Sequence, residues 1–363
     1  MVKKTIAVLP GDGIGPETTY EAIKVLDTIS KIYQHEFNVE YADFGGIAYD
    51  KHGHPFPEET KKICDRADAI LKGPVGAPQY DNIPDVNLRP ERGAILPLRA
   101  RYQTYANLRP IILPKALKRI SPLKPELIPN GVDIMMVREL VGGLYFGEKK
   151  QGIVNNERYS MDAMHYTEGQ VERIARFAFE VARKRNKTLH NIHKSNVILT
   201  CVFWNEIVDR VSKDYPDVKL MHMLVDNAAY KLVVNPTQFD TMLLENMFGD
   251  ILSDEGGGII GSLGLLPSAC IGPRKSYFEP SHGSAPHRTG QNTANPYSMI
   301  GSTALMLEYA FGLEKESKAI WNAMFSVLNL GYCTNDLAED NTQKEKIIGT
   351  REFGDMVVDK LNL

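Results

Sequence analysis

The sequence predicts an α/β fold with a mostly parallel sheet. Apolar runs typical of buried strands alternate along most of the chain with segments whose apolar residues recur at helical spacing. The chain has 363 residues, which indicates about two domains. Polar side chains follow several of the apolar runs, and parallel sheets carry functional residues at the carboxyl ends of their strands. We therefore expect a site built from strand ends.

A glycine-rich turn separates the first predicted strand from the first predicted helix. Residues 5–9 form an apolar run, and the helix is predicted from Ala22, Val25, Leu26, Ile29 and Ile32. Between them, residues 11–15 (GDGIG) lack the final glycine of the GxGxxG dinucleotide fingerprint, and no matching acidic residue follows. We interpret the motif as a turn between strand and helix.

Three further strands precede segments of interest. Residues 68–71 are predicted to form a short strand that leads into a loop. Residues 133–137 are predicted to form a strand that ends just before Arg138. Residues 189–193 are predicted to form a strand that places Lys194 at its carboxyl end. The two polar residues are therefore expected at the same kind of position, beyond a strand end.

Composition and charge exclude several classes of function. The net charge is −3 and no polybasic run occurs, so nothing favours binding to nucleic acid or to a membrane surface. No apolar run approaches the ~20 residues of a membrane span, and the first apolar stretch is too short for a signal peptide. The four cysteines are isolated in the sequence, which favours a reducing, cytoplasmic location.

Two aspartates have the spacing of a metal site. Asp250 and Asp254 lie four residues apart in a segment predicted to be helical, so they share one helix face. A lone pair of this kind is more often a solvated surface. Here the flanking residues are apolar and three glycines follow, which indicates a position near an interior cleft. Oxygen ligands alone suit Mg²⁺ or Mn²⁺, and Asp226, after another apolar run, can complete the site.

Cationic and phenolic side chains complete a coherent set. The arginines that follow apolar segments or strand ends can together bind two carboxylates bidentately, and they are Arg99, Arg109 and Arg138. Lys194 can act as a base and Tyr145 as a proton donor. Each residue alone is more often an ordinary core or surface residue. Together with the aspartates, they indicate metal-assisted oxidative decarboxylation of a 2-hydroxy acid.

Four sequence motifs carry a resemblance to a known family. They are YANLRP (105–110), RELVGGLYFG (138–147), IHKSNV (192–197) and NMFGDILSDE (246–255). Over nearly its whole length the chain resembles the decarboxylating β-hydroxyacid dehydrogenases, the isocitrate/isopropylmalate dehydrogenase family. RELVGGLYFG has the form typical of the isopropylmalate branch, whereas the isocitrate, homoisocitrate and tartrate enzymes typically have RENTEGLY.

The resemblance implies an isopropylmalate dehydrogenase-like fold with two domains. Its mostly parallel central sheet differs from a Rossmann fold of the usual kind. Residues 1–104 and 262–363 are expected to form the first domain, on the cofactor side. Residues 105–261 are expected to form the second, with substrate, metal and dimer interface. The resemblance also implies a homodimer whose active sites are shared between subunits.

The resemblance further implies roles for individual residues. Tyr145 and Lys194 are expected to be catalytic. The metal is expected to be bound by Asp226, Asp250 and Asp254, with Asp226 and Lys194 coming from the partner subunit. The substrate is expected to contact Ile95, Leu96, Arg99, Arg109, Arg138, Asn196, Val197 and Asp226. NAD is expected to contact Glu279, His282, Gly283, Ser284, Ala285, His287, Arg288 and Asn295.

The implied reaction converts 3-isopropylmalate to 4-methyl-2-oxopentanoate with Mg²⁺ or Mn²⁺ and reduction of NAD, in leucine biosynthesis. Two alternatives stay open. One is a relative that acts on another 3-substituted malate, such as homoisocitrate or tartrate. The other is a catalytically silent subunit of a heteromeric dehydrogenase. Such subunits typically lose the acids or the lysine, whereas this chain retains Tyr145, Lys194 and all three aspartates.

Two departures from the family pattern affect the predicted sites. The segment 90–99 (PERGAILPLR) is one residue longer between glutamate and arginine than the common form, so either Glu91 or Arg92 takes the glutamate position. The aspartate that usually accepts hydrogen bonds from the adenosine ribose is replaced by His287, with Arg288 beside it. An added positive charge there makes use of NADP possible as well as NAD.

Overall fold

The computed structural model describes residues 1–362, except for the side chain of residue 116. The strands in this part of the chain are β1 (Lys3–Leu9), β2 (Glu36–Tyr41), β3 (Ala69–Lys72), β4 (Ala106–Pro114), β5 (Gly131–Glu139), β6 (Lys149–Val154), β7 (Glu157–Asp162), β8 (Thr188–His193), β9 (Lys219–Leu224), β10 (Thr241–Leu244), β11 (Pro267–Ile271) and β12 (Tyr277–Pro280). The α-helices are α1 (Gly15–Tyr33), α2 (Gly46–His52), α3 (Glu58–Arg66), α4 (Leu96–Tyr102), α5 (Glu168–Arg183), α6 (Leu199–Ser212), α7 (Val225–Val234), α8 (Asn246–Ile260), α9 (Tyr297–Tyr309), α10 (Glu314–Asn329) and α11 (Thr350–Leu361).

The chain forms two compact units. The first unit comprises Met1–Thr104, Ala116–Ser121 and Ile260–Leu363, and the second comprises Tyr105–Lys115 and Pro122–Ile259. The first unit therefore combines segments from both ends of the chain, while the second is built from its middle.

In the first unit, the strands lie side by side in the order β2-β1-β3-β12-β11. Its strands pair in parallel except for the antiparallel pair β11 and β12. Helix α9 is buried from Tyr297 to Leu307 and packs against β11, β12, α1 and α10. A helix that is apolar on all sides belongs in the interior, and this one forms the centre of the unit. Within residues 1–362, none of the helices combines the length and apolar character needed to cross a membrane.

The second unit has the strand order β4-β5-β10-β8-β9. The long pair β4 and β5 is antiparallel, and the other neighbours are parallel. Helix α5 packs on β5, β8 and β10, and α6 packs on α5 and β8. Helix α5 begins at a capping box in which Thr167 and Gln170 satisfy each other's backbone N–H groups. Strands β6 and β7 form a separate antiparallel ribbon.

The predicted α/β fold is confirmed, with a mostly parallel sheet in each unit and a strand order unlike the usual Rossmann order. One detail is wrong: Arg138 does not lie beyond its strand, because β5 continues through Arg138 and Glu139. The antiparallel pairing with β4 extends to the pair Ala106 and Glu139. Both polar side chains are buried, and partners from neighbouring segments compensate for their burial.

The glycine-rich motif at residues 11–15 is a turn between β1 and α1, as predicted. Gly13 has a positive φ of 59°, which favours glycine. A Cβ atom on Gly13 would lie 2.0 Å from the carbonyl oxygen of Ser284. The amide of Ile14 donates to that same oxygen over 2.8 Å. The turn therefore supports the loop that carries Ser284.

Candidate active site

Two buried arginines lie on the neighbouring strands β4 and β5. Asn107 on β4 is the strand-pairing partner of Arg138 on β5. Arg109 lies two residues after Asn107 on β4. The Nε atom of Arg109 donates to Oδ1 of Asn107 over 2.7 Å. Arg138 donates through Nε and Nη2 to Oδ1 of Asn246, over 3.1 and 2.8 Å. The two amide side chains therefore fix the direction in which both guanidinium groups point.

Helix α8 presents its polar face to these arginines. Arg138 pairs with Asp250. Nη1 of Arg109 lies 3.4 Å from Oδ1 of Asp254 and 3.8 Å from Oδ1 of Asp250, and it also donates to the hydroxyl of Ser253. Asp250 and Asp254 therefore share one helix face, as the sequence predicts, and positive charge lies between them.

Tyr145 adds a phenol to the same cluster. Its hydroxyl donates to Oδ2 of Asp250 over 2.8 Å, and the guanidinium of Arg138 lies 5.8 Å from the ring centre. Burial and the bond to Asp250 together raise the pKa of Tyr145 to about 12. The phenol therefore keeps its proton at neutral pH, as a proton donor must.

Helix α8 approaches Arg138 closely at a glycine. A Cβ atom on Gly249 would lie 2.5 Å from Cγ and 2.7 Å from Cβ of Arg138. Arg138 is fully buried, so its stem has little room to move. Gly249 therefore allows the backbone of α8 to pack directly over the arginine.

The acidic pair fits a hard divalent cation in part. Asp250 and Asp254 offer only oxygen ligands, which suit Mg²⁺ or Mn²⁺. Within residues 1–362, no group of three or more His, Cys, Asp and Glu side chains converges as a metal site. The third predicted ligand, Asp226, thus does not join the pair within one chain. Asp250 and Asp254 could therefore hold a cation only together with a further ligand.

Lys194 and Asp226 form a second polar group. Lys194 follows β8, as predicted, and its Nζ atom lies 2.6 Å from Oδ1 of Asp226 in the first turn of α7. The hydrogen bond from Lys194 lowers the pKa of Asp226. Asn196 and Val197 follow in the same loop, and Val197 is exposed. The group lies open to solvent on the second unit, with its lysine and acid already paired.

The other predicted substrate residues lie in the first unit. Arg99, on α4, is buried, and its Nε atom donates to the hydroxyl of Tyr277 over 3.1 Å. Ile95 and Leu96 are half-buried at the start of the same helix. The structure therefore brings Arg109 and Arg138 together, while Arg99 keeps a separate set of neighbours within its own unit.

The extra residue in the segment 90–99 is accommodated by a π-helical turn over Glu91–Ile95. The amide of Leu96 donates to the carbonyl of Glu91, five residues earlier. The carboxylate of Glu91 lies over Gly76, since a Cβ atom there would be 2.0 Å from its Oε1 atom. Of the two candidates for the glutamate position, Glu91 thus contacts the loop after β3.

A cavity of about 380 Å³ in the first unit collects most of the predicted cofactor residues. Burial lowers the pKa of His282, so its ring is neutral near pH 7. The Nε2 atom of His282 is buried and has no hydrogen-bond partner within residues 1–362. The lining comprises Ile14, Ser262, Leu263, Gly264, His282, Gly283, Ala285, His287, Arg288, Ala294, Asn295 and Asp336. An unpaired ring nitrogen in a cavity of this size fits a heteroaromatic ligand.

Two predicted cofactor residues do not line this cavity. Glu279 is buried in an ion pair with Lys72, and Ser284 donates to the carbonyl of Gly76. Six lining residues were not predicted from the sequence, namely Ile14, Ser262, Leu263, Gly264, Ala294 and Asp336, and Asp336 is the charged one among them. Asp336 accepts hydrogen bonds from Ser262 over 2.6 Å and from Asn295 over 3.1 Å. No spacing pattern links it to these residues, because all three come from different parts of the chain.

Known proteins are similar to this chain in sequence and in fold. The family model described as Isocitrate/isopropylmalate dehydrogenase matches residues 5–357. A Thermotoga maritima protein named 3-isopropylmalate dehydrogenase is 48% identical over 356 residues, which cover 98% of each chain. An Aquifex aeolicus protein of the same name is 47% identical over 363 residues, 99% of this chain and 98% of that one. The crystal structure of isocitrate dehydrogenase from Methylococcus capsulatus has a TM-score of 0.85 at 31% identity, covering 99% of this chain and all of that one.

Proposed function

The chain belongs to the isocitrate/isopropylmalate dehydrogenase family, and on that premise we propose that it oxidises and decarboxylates 3-isopropylmalate. The product is 4-methyl-2-oxopentanoate, and NAD⁺ accepts the hydride. The reaction belongs to leucine biosynthesis, and we assign it to the cytoplasm. The four cysteines are free and buried, which agrees with a reducing compartment.

One observation supports this activity most strongly: Arg109, Arg138, Tyr145 and Asp250 converge in the second unit. Two guanidinium groups on adjacent strands can bind the carboxylates of a malate bidentately. The phenol is held beside them in its protonated form. Binding groups for a dicarboxylate and a proton donor therefore occupy one place, which is what a decarboxylating dehydrogenase requires.

The proposed chemistry divides between two side chains. Lys194 of the partner subunit accepts the proton of the 2-hydroxyl group, and bound NAD⁺ would take up the hydride from C2. The bond from C3 to its carboxylate then breaks, CO₂ leaves, and its electron pair forms the enolate of the product. Tyr145 gives its phenolic proton to C3. Arg109 and Arg138 keep the substrate oriented throughout.

A divalent cation has a place in this scheme. Asp250 and Asp254 would hold it, together with Asp226 of the partner subunit. Bound Mg²⁺ or Mn²⁺ would supply positive charge beside the alcohol and carboxylate oxygens and so lower the pKa of the alcohol. Arg109 and Arg138 supply the positive charge next to Asp250 and Asp254. When these arginines pair with substrate carboxylates instead, a cation would replace that charge beside the two aspartates.

We further propose a homodimer with shared active sites. Lys194 and Asp226 form a pair apart from Asp250 and Asp254, so each full site needs a second copy. The second unit also exposes a large set of apolar side chains, among them Ile153, Val154, Tyr159, Met161, Val197, Leu199, Tyr230, Val233 and Ile251. A two-stranded ribbon such as β6–β7 is only marginally stable on its own in water, and a subunit interface would cover exposed apolar side chains of this unit.

Complementation tests the shared site. Lys194→Met and Asp250→Asn should each be inactive alone. Co-expressed, they form mixed dimers in which one of the two sites combines Asp250 of one copy with Lys194 of the other. Random pairing should therefore restore about a quarter of the wild-type activity. Additive, near-zero activity in the mixture, or a monomer by light scattering, would exclude shared sites.

The cavity in the first unit supports a dinucleotide cofactor. It is lined by His282, Gly283, Ala285 and Asn295, which the resemblance assigns to binding NAD. His287 and Arg288 line the same cavity. Without a carboxylate at residue 287, less repulsion opposes a 2′-phosphate, so we expect NADP to be used as well, with NAD preferred.

A direct assay of the isolated chain tests the proposed activity. The purified protein, 3-isopropylmalate, NAD⁺ and Mg²⁺ should yield NADH and 4-methyl-2-oxopentanoate in equal amounts, with CO₂. Mass spectrometry identifies the oxo acid. A protein that binds NAD but turns over no 3-substituted malate on its own would instead be a silent subunit of a larger enzyme.

A further inference from the structure

A buried glutamate lies directly behind the substrate arginines. Glu139 is the last residue of β5, next to Arg138, and is fully buried. Its Oε1 atom accepts the amide of Val141 over 2.9 Å, and its Oε2 atom accepts the amide of Gly142 over 2.8 Å. Both oxygens of one carboxylate therefore hold the backbone turn that leaves the strand. The proposed reaction gives Glu139 no chemical step.

The same turn leads to Tyr145 through a tightly packed segment. Gly142 and Gly143 have no room for a Cβ atom, which would lie 2.4 and 2.7 Å from atoms of Tyr166. The amide side chain of Asn246, which also binds Arg138, donates to the carbonyl of Gly142 over 3.0 Å. The short helical turn Gly143–Tyr145 follows at once. The position of the Tyr145 phenol therefore depends on where this turn is held.

We propose that Glu139 is a positioning residue for Tyr145, and that its ionised carboxylate sets the turn that aims the phenol at the substrate. The proposal rests on the proposed function, in which Tyr145 donates the proton to C3. An ionised carboxylate accepts both N–H groups equally well. A protonated one carries a hydrogen on one oxygen, so one of the two bonds weakens and the turn loosens.

The surroundings of Glu139 shift its pKa so that the carboxylate gains its proton near neutral pH. Burial raises the pKa of Glu139 to about 7, although the amides of Val141 and Gly142 and the charge of Arg173 act against the rise. The facing charged and titratable groups are Arg173 on α5, Glu245 after β10, and Tyr166. The charge of Glu245 raises the pKa of Glu139 further, and burial also raises the pKa of Glu245 itself.

The direction of the effect follows from the raised pKa. Above about pH 7 Glu139 is ionised and the turn is held by both bonds. As the pH falls through that value, the carboxyl group takes up a proton and Tyr145 is held less firmly. The step that needs Tyr145 should therefore slow on the acidic side, while binding through the arginines should change little.

A double-mutant cycle tests the coupling. Glu139→Gln keeps the side-chain shape but turns an NH₂ group toward one of the two amides. In the wild-type background we expect kcat at pH 8 to fall about tenfold, with KM changed less than about threefold. In the Tyr145→Phe background the same change should cost less than about twofold, because the group being positioned is already gone. Equal losses in both backgrounds would overturn the proposal and indicate a merely structural residue.

A second measurement needs no turnover, so its outcome does not depend on whether the proposed function is correct. With 3-fluorotyrosine incorporated at position 145, the ¹⁹F shift of the ligand-free protein should titrate with a midpoint near pH 7, and Glu139→Gln should abolish this step. His165→Asn, in the segment facing the turn, should leave it unchanged. If Glu139→Gln does not fold, the wild-type titration is compared with those of His165→Asn and Glu245→Gln. Both variants should retain the step, and the loss of the Glu245 charge should lower its midpoint. A shift that is flat through neutral pH, or lost in His165→Asn, would overturn the proposal.

Discussion

The phenolic hydroxyl of Tyr145 donates a hydrogen bond to Oδ2 of Asp250 over 2.8 Å. The same aspartate pairs with the buried guanidinium of Arg138. Asp250 therefore joins the proposed proton donor to one of the arginines proposed to bind substrate carboxylates. The fold arranges these three residues in advance, since Arg138 lies on β5, Tyr145 in the turn after it and Asp250 on α8.

Tyr145→Phe should separate the two halves of the reaction. Removing the phenol takes away the proton donor but leaves both arginines and Lys194 in place. We expect overall turnover to fall by about 10² or more, the usual contribution of a general acid. Reduction of an added 2-oxo intermediate by NADH should continue at an appreciable rate. Lys194→Met should block oxidation itself, and equal loss of every partial reaction in both variants would contradict this division.

The raised pKa of Tyr145 predicts how the activities of the wild type and of Tyr145→Phe depend on pH. The phenol keeps its proton until the pH approaches about 12, so its contribution does not decline on the alkaline side. The ratio of wild-type to Tyr145→Phe kcat should thus stay constant from about pH 8 to about pH 10. A ratio that falls steadily across this range would mean that the phenol ionises there.

Two glycines of α8 provide a matched pair of substitutions. Gly249→Ala places a methyl group against the stem of Arg138, so it should lower both stability and kcat/KM. Gly258→Ala meets no atom of the same chain within 4 Å and should stabilise the helix by up to ~1 kcal/mol. Chemical denaturation and steady-state kinetics on both variants measure this. Similar behaviour of the two would show that the contact with Arg138 does not matter.

Chelation should abolish turnover, and Mg²⁺ or Mn²⁺ should restore it. Asp250 and Asp254 lie on one helix face and are proposed to share the ion with Asp226 of the partner subunit. Mn²⁺ binding followed by electron paramagnetic resonance should weaken in Asp254→Asn and stay normal in Asp209→Asn, an exposed aspartate on α6. Full activity in excess chelator would remove the metal from the scheme.

His287→Asp should widen the preference for NAD⁺. A carboxylate at this position can accept hydrogen bonds from ribose hydroxyls and repels a 2′-phosphate. We expect the kcat/KM ratio of NAD⁺ to NADP⁺ to rise by about tenfold, mostly through poorer use of NADP⁺. If the wild type already rejects NADP⁺ by several thousandfold, His287 does not face the ribose.

Much of this architecture is predictable from the sequence because it depends on local patterns. Strands β1, β3, β5 and β8 are predictable because each contains an apolar run. Helical geometry alone predicts that Asp250 and Asp254, four residues apart, share one helix face. The apolar pattern predicts that β5 ends at residue 137, two residues too early, because Arg138 and Glu139 are polar. Strand pairing with β4 and buried partners stabilise them there, and neither can be read from one segment alone.

Other features depend on contacts between distant segments. Asp336 is joined to the cavity in the first unit through hydrogen bonds with Ser262 and Asn295, which are far from it in the chain. The extra residue of the segment 90–99 is evident in the sequence, but its accommodation as a π-helical turn is not. Asn107, Asn246 and Ser253 lie inside recognised motifs, yet their role as partners of the arginines appears only once the strands are paired.

A comparison of kcat/KM among 3-substituted malates decides the identity of the substrate. With NAD⁺ and Mg²⁺, the purified chain is assayed on 3-isopropylmalate, isocitrate, homoisocitrate and tartrate. Ile95 and Leu96 are proposed to face the 3-substituent, where a branched alkyl group gains ~0.8 kcal/mol per buried CH₂. A carboxylate buried there without a partner would cost several kcal/mol. We predict that 3-isopropylmalate exceeds isocitrate and homoisocitrate, whose 3-substituents carry a carboxylate, by about 10³ or more in kcat/KM, and that it also exceeds tartrate, whose 3-substituent is a hydroxyl group. A comparable or higher value for isocitrate, homoisocitrate or tartrate would contradict the assignment.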